Sequence, residues 1–460
     1  MTAVPDTATD ITTPPGAIPA TLTADVVVIG AGPAGIAAAA RAAEAGRRVV
    51  LLDEQPNVGG QIWRHRTRAS LGTDARRWID RLARTKAEVR HGVAVIDAIA
   101  GGDSGGITIV GERHRGGGVD VIRAGALVIA TGARERFLPF PGWTLPGVVG
   151  IGGAQALIKQ GATFRGKRVV IAGTGPLMLP VADSLAATGA RLQLVAEQAT
   201  FSAVRDFAIS LLGHPDTLFQ AAVYRLGFIR TPYATGTWVT AATGTDRVTA
   251  VTVTDGRVTR SVPCDVLCTG FGLVPNVEMA RLIGCTTRDG VVTVDDRQAT
   301  SVPGVFAAGE VTGVGGVALA VVEGEIAGVA AAGATRLDAS LARRRTALHD
   351  VAARMQRTFA LRPEMRAVAR DDTILCRCED VRRGQVASLV DARQAKLYAR
   401  AGMGACQGRV CGPALEFLFG WDAGSVRSPL EPARLSTLLS VATALGASKP
   451  SATANPTSGS

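Results

Sequence analysis

A glycine-rich loop between a predicted strand and a predicted helix constrains the fold of this chain most tightly. The loop reads Gly30-Ala31-Gly32-Pro33-Ala34-Gly35 and follows the apolar run Val26 to Ile29. An alanine-rich helical segment and a second apolar run, Arg48 to Asp53, come after it. Glu54 stands 24 positions after Gly30, close to the spacing of a ribose contact. Together these elements predict a βαβ unit that binds a nucleotide.

The residues of this loop have distinct predicted roles. Gly30 permits the tight turn, Gly32 lets the backbone approach a pyrophosphate, and Gly35 lets helix and strand pack closely. Pro33 and Ala34 begin the helix, whose N-terminal amides and dipole favour a phosphate. We expect Glu54 to accept hydrogen bonds from an adenosine ribose.

A second copy of the pattern lies in the middle of the chain. The strand Lys167 to Ala172 precedes Gly173-Thr174-Gly175, a helical segment and another strand. Glu197 follows Gly173 by 24 positions, the same offset as in the first unit, which favours duplication over chance. Met178, however, occupies the third glycine position, where a bulky side chain hinders close helix–strand packing. Binding of NAD and an empty, structural domain therefore both stay open for this unit.

Further segments complete the first unit. They are Gln55, Gly60 and Gln61 after the second strand, Ala130-Thr131-Gly132 at the end of a buried strand, and Gly309-Glu310 before a late helix. The late segment offers amides to a phosphate and a carboxylate to a ribityl hydroxyl, so these additions favour FAD over NAD. Because the first unit resumes after the second, the sequence predicts an α/β fold with two Rossmann-like domains, one inserted in the other.

The expected organisation has six parts. They are a disordered lead-in over 1–23, an FAD-type domain over 24–142 and 266–335, an NAD(P)-binding-like domain over 143–265, a helical linker over 336–371, a small helical cluster-binding domain over 372–447, and a disordered tail over 448–460.

Four late cysteines point to a metal centre. Cys376 and Cys378 form one close pair, and Cys406 and Cys411 form another after 27 intervening residues. Zinc sites usually pair cysteines across two to four residues, so Cys-x-Cys is too tight for the usual zinc knuckle. A [2Fe-2S] cluster is the favoured occupant, while zinc and free thiols stay open. The three other cysteines, Cys264, Cys268 and Cys285, are expected to be small buried hydrophobic residues.

The first group of motifs resembles the two-dinucleotide-binding-domain flavoproteins, which include thioredoxin and glutathione reductases. The resemblance spans about Asp25 to Gly328 and implies FAD on the first unit and NAD(P)H on the second. This chain has no Cys-x-x-Cys pair near Gln61 or between Trp143 and Gly161, which disfavours disulfide reduction. It also carries Glu310 where the family usually has Asp.

The cysteine region resembles the [2Fe-2S] domain of bacterioferritin-associated ferredoxin. The stretch Arg400 to Ala405 before Cys406 adds to this resemblance. The combined architecture resembles the alpha (A) subunits of opine oxidases, D-hydroxyproline dehydrogenases and hydrogen cyanide synthase. That resemblance implies a partner FAD-dependent beta subunit of the D-amino-acid-oxidase type and a small ferredoxin-like [2Fe-2S] gamma subunit. In more distant relatives of this group the nucleotide site holds NAD or ATP, and FMN lies at a subunit interface. The resemblance therefore leaves these cofactors open as well.

Composition narrows the function further. The net charge is +11, but aromatic residues are only 4% and no nucleic-acid module is recognisable, so we expect no nucleic-acid partner. Apolar stretches of membrane-spanning length are broken by charges. The odd number of cysteines, seven in a long chain, favours a reducing compartment, so we expect the cytoplasm, with any membrane association through a partner. The five histidines lie in no recognisable motif, so no catalytic residue is assigned.

These features predict an electron-transfer subunit of a heteromeric flavin-dependent amine or imino-acid dehydrogenase, because a flavin and a [2Fe-2S] cluster together convert electron pairs into single electrons. Two alternatives stay open. One is a self-sufficient NADH-dependent ferredoxin-type reductase. The other is a non-catalytic assembly subunit with a structural nucleotide and zinc.

Overall fold

The computed structural model describes residues 21–101, 106–114, 117–422 and 426–444. Residues Thr21 to Thr23 already belong to the first strand, so the lead-in expected over 1–23 is too long at its end. Residues 1–20 and the tail expected over 448–460 lie outside the described residues.

The strands in chain order are β1 (Thr21–Ile29), β2 (Val49–Asp53), β3 (Glu88–His91), β4 (Val93–Ala100), β5 (Ile107–Arg113), β6 (Val119–Ile129), β7 (Ala133–Glu135), β8 (Val148–Gly150), β9 (Arg168–Gly173), β10 (Arg191–Glu197), β11 (Tyr233–Ala234), β12 (Trp238–Thr243), β13 (Ala250–Thr254), β14 (Thr259–Pro263), β15 (Val266–Gly270), β16 (Leu273–Pro275), β17 (Thr287–Arg288), β18 (Val291–Val292), β19 (Val305–Ala307), β20 (Ile374–Cys376) and β21 (Val381–Arg382).

The helices are α1 (Pro33–Glu44), α2 (Thr73–Ala83), α3 (Ile151–Lys159), α4 (Met178–Ala187), α5 (Phe201–Ser210), α6 (Pro215–Gly227), α7 (Glu278–Leu282), α8 (Val317–Ala331), α9 (Ala339–Thr358), α10 (Arg383–Val386), α11 (Ala392–Ala399), α12 (Gly412–Phe419) and α13 (Leu435–Ala444). Short 3₁₀ turns lie at Leu211–Gly213, between α5 and α6, and at Glu310–Thr312.

The first sheet has the order β3-β2-β1-β6-β5-β4, and β19 also pairs with β6. β1 lies parallel to both β2 and β6, and β19 is parallel to β6, so the carboxyl ends of β1, β2, β6 and β19 meet at one edge. Apolar clusters cover both faces of the sheet. This edge carries the first glycine loop, Ala130-Thr131-Gly132 and Gly309-Glu310.

Helix α8 packs closely against α1 through two glycines. A Cβ atom at Gly324 would lie 2.2 Å from the carbonyl oxygen of Ala34, and one at Gly328 would lie 2.3 Å from that of Ala38. The alanines of α1 and the glycines of α8 therefore let the two backbones approach. This contact holds the segment before α8 beside the first turn of α1.

The second sheet is parallel, with the order β11-β10-β9-β15-β8. β15 belongs to this sheet because it pairs with both β8 and β9, so the first unit does not resume at residue 266 as expected. It resumes after a two-stranded link in which β16 runs antiparallel to β7. A separate antiparallel sheet, β12-β13-β14, packs beside the second sheet.

The cysteine region forms a small unit with its own core, made of Leu375, Cys376, Val381, Val386, Ala395, Ala401, Cys411 and Leu415. The range 372–447 expected for it is too long, because the last helix returns to the first sheet. Leu430 N donates to Ile96 O at 2.8 Å, and Arg434 N donates to the Glu112 carboxylate at 3.0 Å.

Among the helices of the described ranges, none is both long enough and apolar enough to cross a bilayer.

Candidate functional site

The first glycine loop has the geometry of a phosphate-binding turn. Gly30 has φ +99°, and a Cβ atom there would lie 2.3 Å from Ala130 O. A Cβ at Gly35 would lie 1.7 Å from Gly30 O, so strand and helix approach as only glycine allows. A Cβ at Gly32 would meet no atom within 4 Å, and α1 begins at the next residue, Pro33. The open side of the loop therefore faces the space in front of the helix N-terminus.

Asp53 closes this loop, a role that the sequence pattern did not indicate. Its Oδ2 accepts from Ala31 N at 2.5 Å, and its Oδ1 accepts from Gln55 N at 2.7 Å. Burial raises the pKa of the Asp53 carboxyl. Glu54 is exposed, and its Oε1 accepts from Gln55 Nε2 at 3.2 Å. Asp53 therefore binds the loop, whereas the Glu54 carboxylate faces solvent where a ribose could reach it.

The segment after β2 folds back over the loop. Gly59 N donates to Ala31 O at 2.7 Å, and a Cβ at Gly60 would lie 2.9 Å from the Cα of Gly32. Gly60, a predicted site residue, therefore lies directly against the turn that is expected to hold a pyrophosphate.

Arg64 organises the two glutamines predicted for the site. Its Nη2 donates to Gln61 Oε1 at 2.8 Å and to Gln55 Oε1 at 3.3 Å. Lys159, from α3 of the second unit, donates from Nζ to Ile62 O at 2.7 Å. Desolvation, followed by the charge of Arg64, lowers the pKa of Lys159 to about 8. No sequence motif singled out Arg64 or Lys159, yet together they put two cations at the rim of the loop.

The Ala130-Thr131-Gly132 segment is held by Asn276. Thr131 Oγ1 donates to Asn276 O at 2.7 Å, and Asn276 Nδ2 donates back to Thr131 O at 2.9 Å. Asn276 N also donates to Gly132 O at 2.9 Å. The segment therefore joins the first glycine loop, through Ala130, to the link between the two units.

Glu310 carries a buried carboxylate with one unused oxygen. Its Oε1 accepts from Gly316 N at 2.9 Å, whereas its Oε2 is buried and has no hydrogen-bond partner among the described residues. Burial raises the pKa of Glu310 to about 7. An unpaired buried oxygen is costly in a folded protein. A hydroxyl donor from a bound nucleotide would satisfy it.

The four late cysteines come together as two pairs. The Cys376 thiol lies near that of Cys411, and the Cys378 thiol lies near that of Cys406. The contact with Cys411 lowers the pKa of Cys376 to about 5, with help from the amides of Gly402, Glu379 and Cys378. Cys376 and Cys411 are buried, whereas Cys378 is exposed.

Two glycines, Gly402 and Gly404, lie close to Cys411 and Cys378. A Cβ at Gly404 would lie 2.3 Å from the Cβ of Cys378, and one at Gly402 would lie 3.9 Å from Cys411 Sγ. Within the part of the chain that the structure describes, no group of three or more His, Cys, Asp or Glu side chains is arranged to hold a metal ion. Four thiols in two neighbouring pairs match the number of thiolates that a [2Fe-2S] cluster takes.

The cysteine region contacts the first unit at the Thr131 segment. Arg134 Nε donates to the carbonyl oxygen of Arg409, which lies between Cys406 and Cys411, at 3.1 Å. Its Nη1 donates to Asn276 Oδ1 at 2.7 Å, and its Nη2 pairs with Glu278 at 2.8 Å. One guanidinium therefore bridges the cysteine loop and the residue that holds Thr131.

The remaining cysteines, Cys264, Cys268 and Cys285, are buried in the cores of the two dinucleotide-type units. Burial raises the pKa of Cys264 to about 11 and that of Cys268 to about 12, and it also raises the pKa of Cys285. These thiols are therefore protonated and contribute to packing, as their positions in the sequence indicated.

Comparison with known proteins gives similarity over most of the chain. A family model described as pyridine nucleotide-disulphide oxidoreductase matches residues 24–334. The chain is 32% identical to the HcnB subunit of hydrogen cyanide synthase from Pseudomonas aeruginosa, over 84% of this chain and 90% of that protein. It is 31% identical to the opine oxidase A-subunit of Rhizobium meliloti, over 90% and 87% of the two chains.

The chain belongs to the pyridine nucleotide-disulphide oxidoreductase family. Membership implies FAD binding and oxidoreductase chemistry. The crystal structure of L-proline dehydrogenase from P. horikoshii shares the fold, with a TM-score of 0.64 at 19% identity, over 91% of this chain and 80% of that one. The family match ends at residue 334, so it does not include the cysteine region.

The second unit departs from the family pattern at its glycine loop. α1 begins directly after Gly32, but α4 begins only at Met178, three residues after Gly175. The Met178 side chain is fully buried in the core of this unit. The regular helix therefore starts two residues later than in the first unit, after a tight turn in which Met178 N donates to Gly175 O at 3.1 Å.

Glu197, the expected ribose contact of this unit, is already engaged. Its Oε2 accepts from Gly175 N at 2.9 Å and its Oε1 accepts from Ala199 N at 2.8 Å, and the side chain is fully buried. Burial raises the pKa of Glu197 to about 7. Glu197 therefore does in the second loop what Asp53 does in the first, and no free acid stands beside it.

The segment after α9 covers what remains of this loop. Thr174 Oγ1 donates to Phe359 O at 3.3 Å, and Gln198 Nε2 donates to Ala360 O at 3.4 Å. Thr174 and Gln198 are only 4% and 1% exposed. The segment expected to be a helical linker therefore also lies over the loop where this family's pyridine nucleotide would bind.

Proposed function

We propose that this chain is the electron-transfer subunit of a heteromeric flavin-dependent dehydrogenase that oxidises an amine or imino acid. The flavin would exchange electron pairs or single electrons, and the cluster would carry one electron at a time. The observation that carries the proposal is the bridge made by Arg134, which connects the cysteine loop to the Thr131 segment of the FAD-type unit.

The first unit supports FAD as the nucleotide. Gly32 leaves the loop open to a pyrophosphate, Gly60 packs against it, and the exposed Glu54 lies where a ribose could reach it. The unpaired Oε2 of Glu310 suits a ribityl hydroxyl, which NAD and ATP lack.

The cysteine region supports a [2Fe-2S] cluster on Cys376, Cys378, Cys406 and Cys411. The amides that converge on Cys376 stabilise a thiolate, and backbone amides commonly donate to cluster sulfurs. The Cys-x-Cys spacing of Cys376 and Cys378 is tighter than the cysteine pairs of a usual zinc knuckle. Zinc is therefore the weaker candidate.

The proposed substrate class and the proposed partner subunits rest on similarity to known proteins. HcnB and its opine oxidase counterpart are named as subunits of hydrogen cyanide synthase and opine oxidase. We therefore assign substrate oxidation to a separate flavin-dependent subunit, and we expect a small ferredoxin-like protein to be a further component. Glycine, an opine and D-hydroxyproline are the substrates to try first.

The NADH-dependent reductase is disfavoured by the second unit. Its helix starts late, Glu197 is occupied, and linker carbonyls cover Thr174 and Gln198. No observation favours a subunit without electron transfer over the proposed relay.

The test uses the complex purified with its partner subunits under anaerobic conditions. We expect iron and acid-labile sulfide in equal amounts, no stoichiometric zinc, and bleaching of the visible spectrum by one of the candidate amines. Zinc without iron would contradict the cluster. Failure of every amino and imino acid to reduce either centre would contradict the relay.

A further inference from the structure

The second unit carries an uncovered apolar surface on the segment between β10 and β11. We call it the α5–α6 surface. Its exposed side chains are Phe201 and Ile209 on α5, Leu212 on the connecting turn, Phe219, Val223 and Leu226 on α6, and Ile229 just beyond it. Phe219 is 72% exposed and Phe201 is 69% exposed. Large apolar patches of this kind mark interaction sites.

The part of the surface on α6 forms a stripe. Phe219, Val223 and Leu226 follow the i, i+4, i+7 spacing that puts side chains on one helical face. The other side of α6 packs against α4, where a Cβ at Gly227 would lie 1.8 Å from Asp183 Oδ1. Helix α6 is therefore fixed to its own domain by one face and presents an apolar stripe on the other.

A pocket opens at the end of this stripe. It has a volume of about 280 Å³, and its apolar lining includes Leu192, Leu226, Phe228 and Ile229. Interfaces commonly seat a buried apolar anchor from the partner in such a pocket. The pocket and the stripe share Leu226, so an anchor in the pocket would lie beside the apolar stripe.

We propose that the α5–α6 surface docks the catalytic dehydrogenase subunit of the complex. The seven side chains expose an area on the order of 800 Å², which is roughly what each partner contributes to a standard stable interface. The linker covers the glycine loop of the second unit, so we do not expect this unit to bind a pyridine nucleotide. The domain is thereby available as an assembly surface.

The partner must therefore bring a matching apolar face with an apolar side chain at its centre. Two of the arginines near the surface are already engaged: Arg205 pairs with Asp206 at 2.8 Å, and Arg225 donates to Phe228 O at 3.0 Å. Arg230 is the charged residue in the lining of the pocket. Apolar contact, and not ion pairing, is expected to hold the interface, so its affinity should change little with salt. This inference rests on the proposed function, since it assumes a catalytic partner.

The test compares two variants of the full chain, each purified through an affinity tag together with the catalytic subunit. The first combines Phe219→Asp and Leu226→Asp. The control is Val258→Asp on the β13–β14 turn, where the wild-type side chain is 63% exposed. The catalytic subunit is recognised by its own bound FAD and by its reduction with the amine substrate. Flavin absorbance and circular dichroism of the tagged chain report its folding.

We expect the double variant to keep its flavin and circular dichroism but to lose at least nine-tenths of the catalytic subunit, while the control retains it. Undiminished capture by a folded double variant would overturn the surface assignment and leave the proposed function intact. A wild-type dimer that the double variant converts to a monomer, with capture unchanged, would reassign the surface to self-association and overturn the proposal. A wild-type chain that binds no catalytic subunit would overturn both.

Discussion

At the scale of single residues, Glu310 should link pH to nucleotide binding. Burial raises its pKa from the ordinary value of 4.5 to about 7, so the carboxyl is largely protonated at pH 6. A ribityl hydroxyl that donates to Oε2 would stabilise the carboxylate, and binding would then release a proton. We expect FAD to bind the FAD-free protein about ten-fold more tightly at pH 8 than at pH 6. Fluorescence titration with FAD measures this.

Glu310→Gln is the matched variant, since it keeps an acceptor but cannot titrate. Its FAD affinity should be nearly independent of pH over the same range. An equal pH dependence in wild type and variant would assign the proton to another group.

Substitution of Gly404 tests whether the four late cysteines hold a cluster. A Cβ there would lie 2.3 Å from the Cβ of Cys378, so Gly404→Ala must displace that cysteine or its loop. We expect the variant to lose most of its iron while it keeps its flavin, because the first unit is untouched. Iron analysis and the flavin spectrum provide the measurement. Ala405→Ser, at the exposed neighbouring position, is the control and should retain its iron.

The roles of single residues were only partly readable from the sequence. The offset of Glu54 from Gly30 indicated an acid near the glycine loop, but it could not tell that Asp53 would bind the loop and leave Glu54 free. In the second unit the same offset indicated Glu197, but this acid binds the glycine loop itself, since Ala196 stands where the first unit has Asp53. Spacing therefore predicted the position of the acids but not how they share hydrogen bonds.

At the scale of elements, the second unit should not accept NADH. We expect NADH to leave the flavin of the isolated chain oxidised in an anaerobic stopped-flow experiment. Met178→Gly should not change this, because Glu197 is engaged and the linker carbonyls still cover Thr174 and Gln198. Rapid bleaching by NADH in either protein would restore the reductase hypothesis.

Periodicity predicted the elements of both units better than their contacts. The strands at Arg168–Gly173 and Arg191–Glu197 follow directly from apolar runs bounded by glycine. The covering of the second loop depends on backbone carbonyls of Phe359 and Ala360, more than 160 positions away, and backbone groups leave no pattern in a sequence. Likewise, the return of α13 to the first sheet depends on Glu112, which no motif marks.

At the scale of the whole molecule, the FAD-type unit and the cysteine region are in direct contact. The FAD-type unit and the cysteine region meet where Arg134 joins Asn276 to Arg409. Arg134→Met should therefore slow cluster reduction by at least ten-fold after the flavin is reduced, with iron and flavin contents unchanged. Arg123→Met, an exposed position on β6, is the control. Stopped-flow absorbance separates the two phases.

The most direct measurement is freeze-quench electron paramagnetic resonance on the anaerobic complex after mixing with its amine substrate. We predict that a cluster signal approaching one unpaired electron per chain develops as the flavin absorbance falls, and that Cys411→Ser abolishes the signal while the flavin is still reduced. Full flavin reduction without any cluster signal in the wild-type complex would contradict an electron relay through Cys376, Cys378, Cys406 and Cys411.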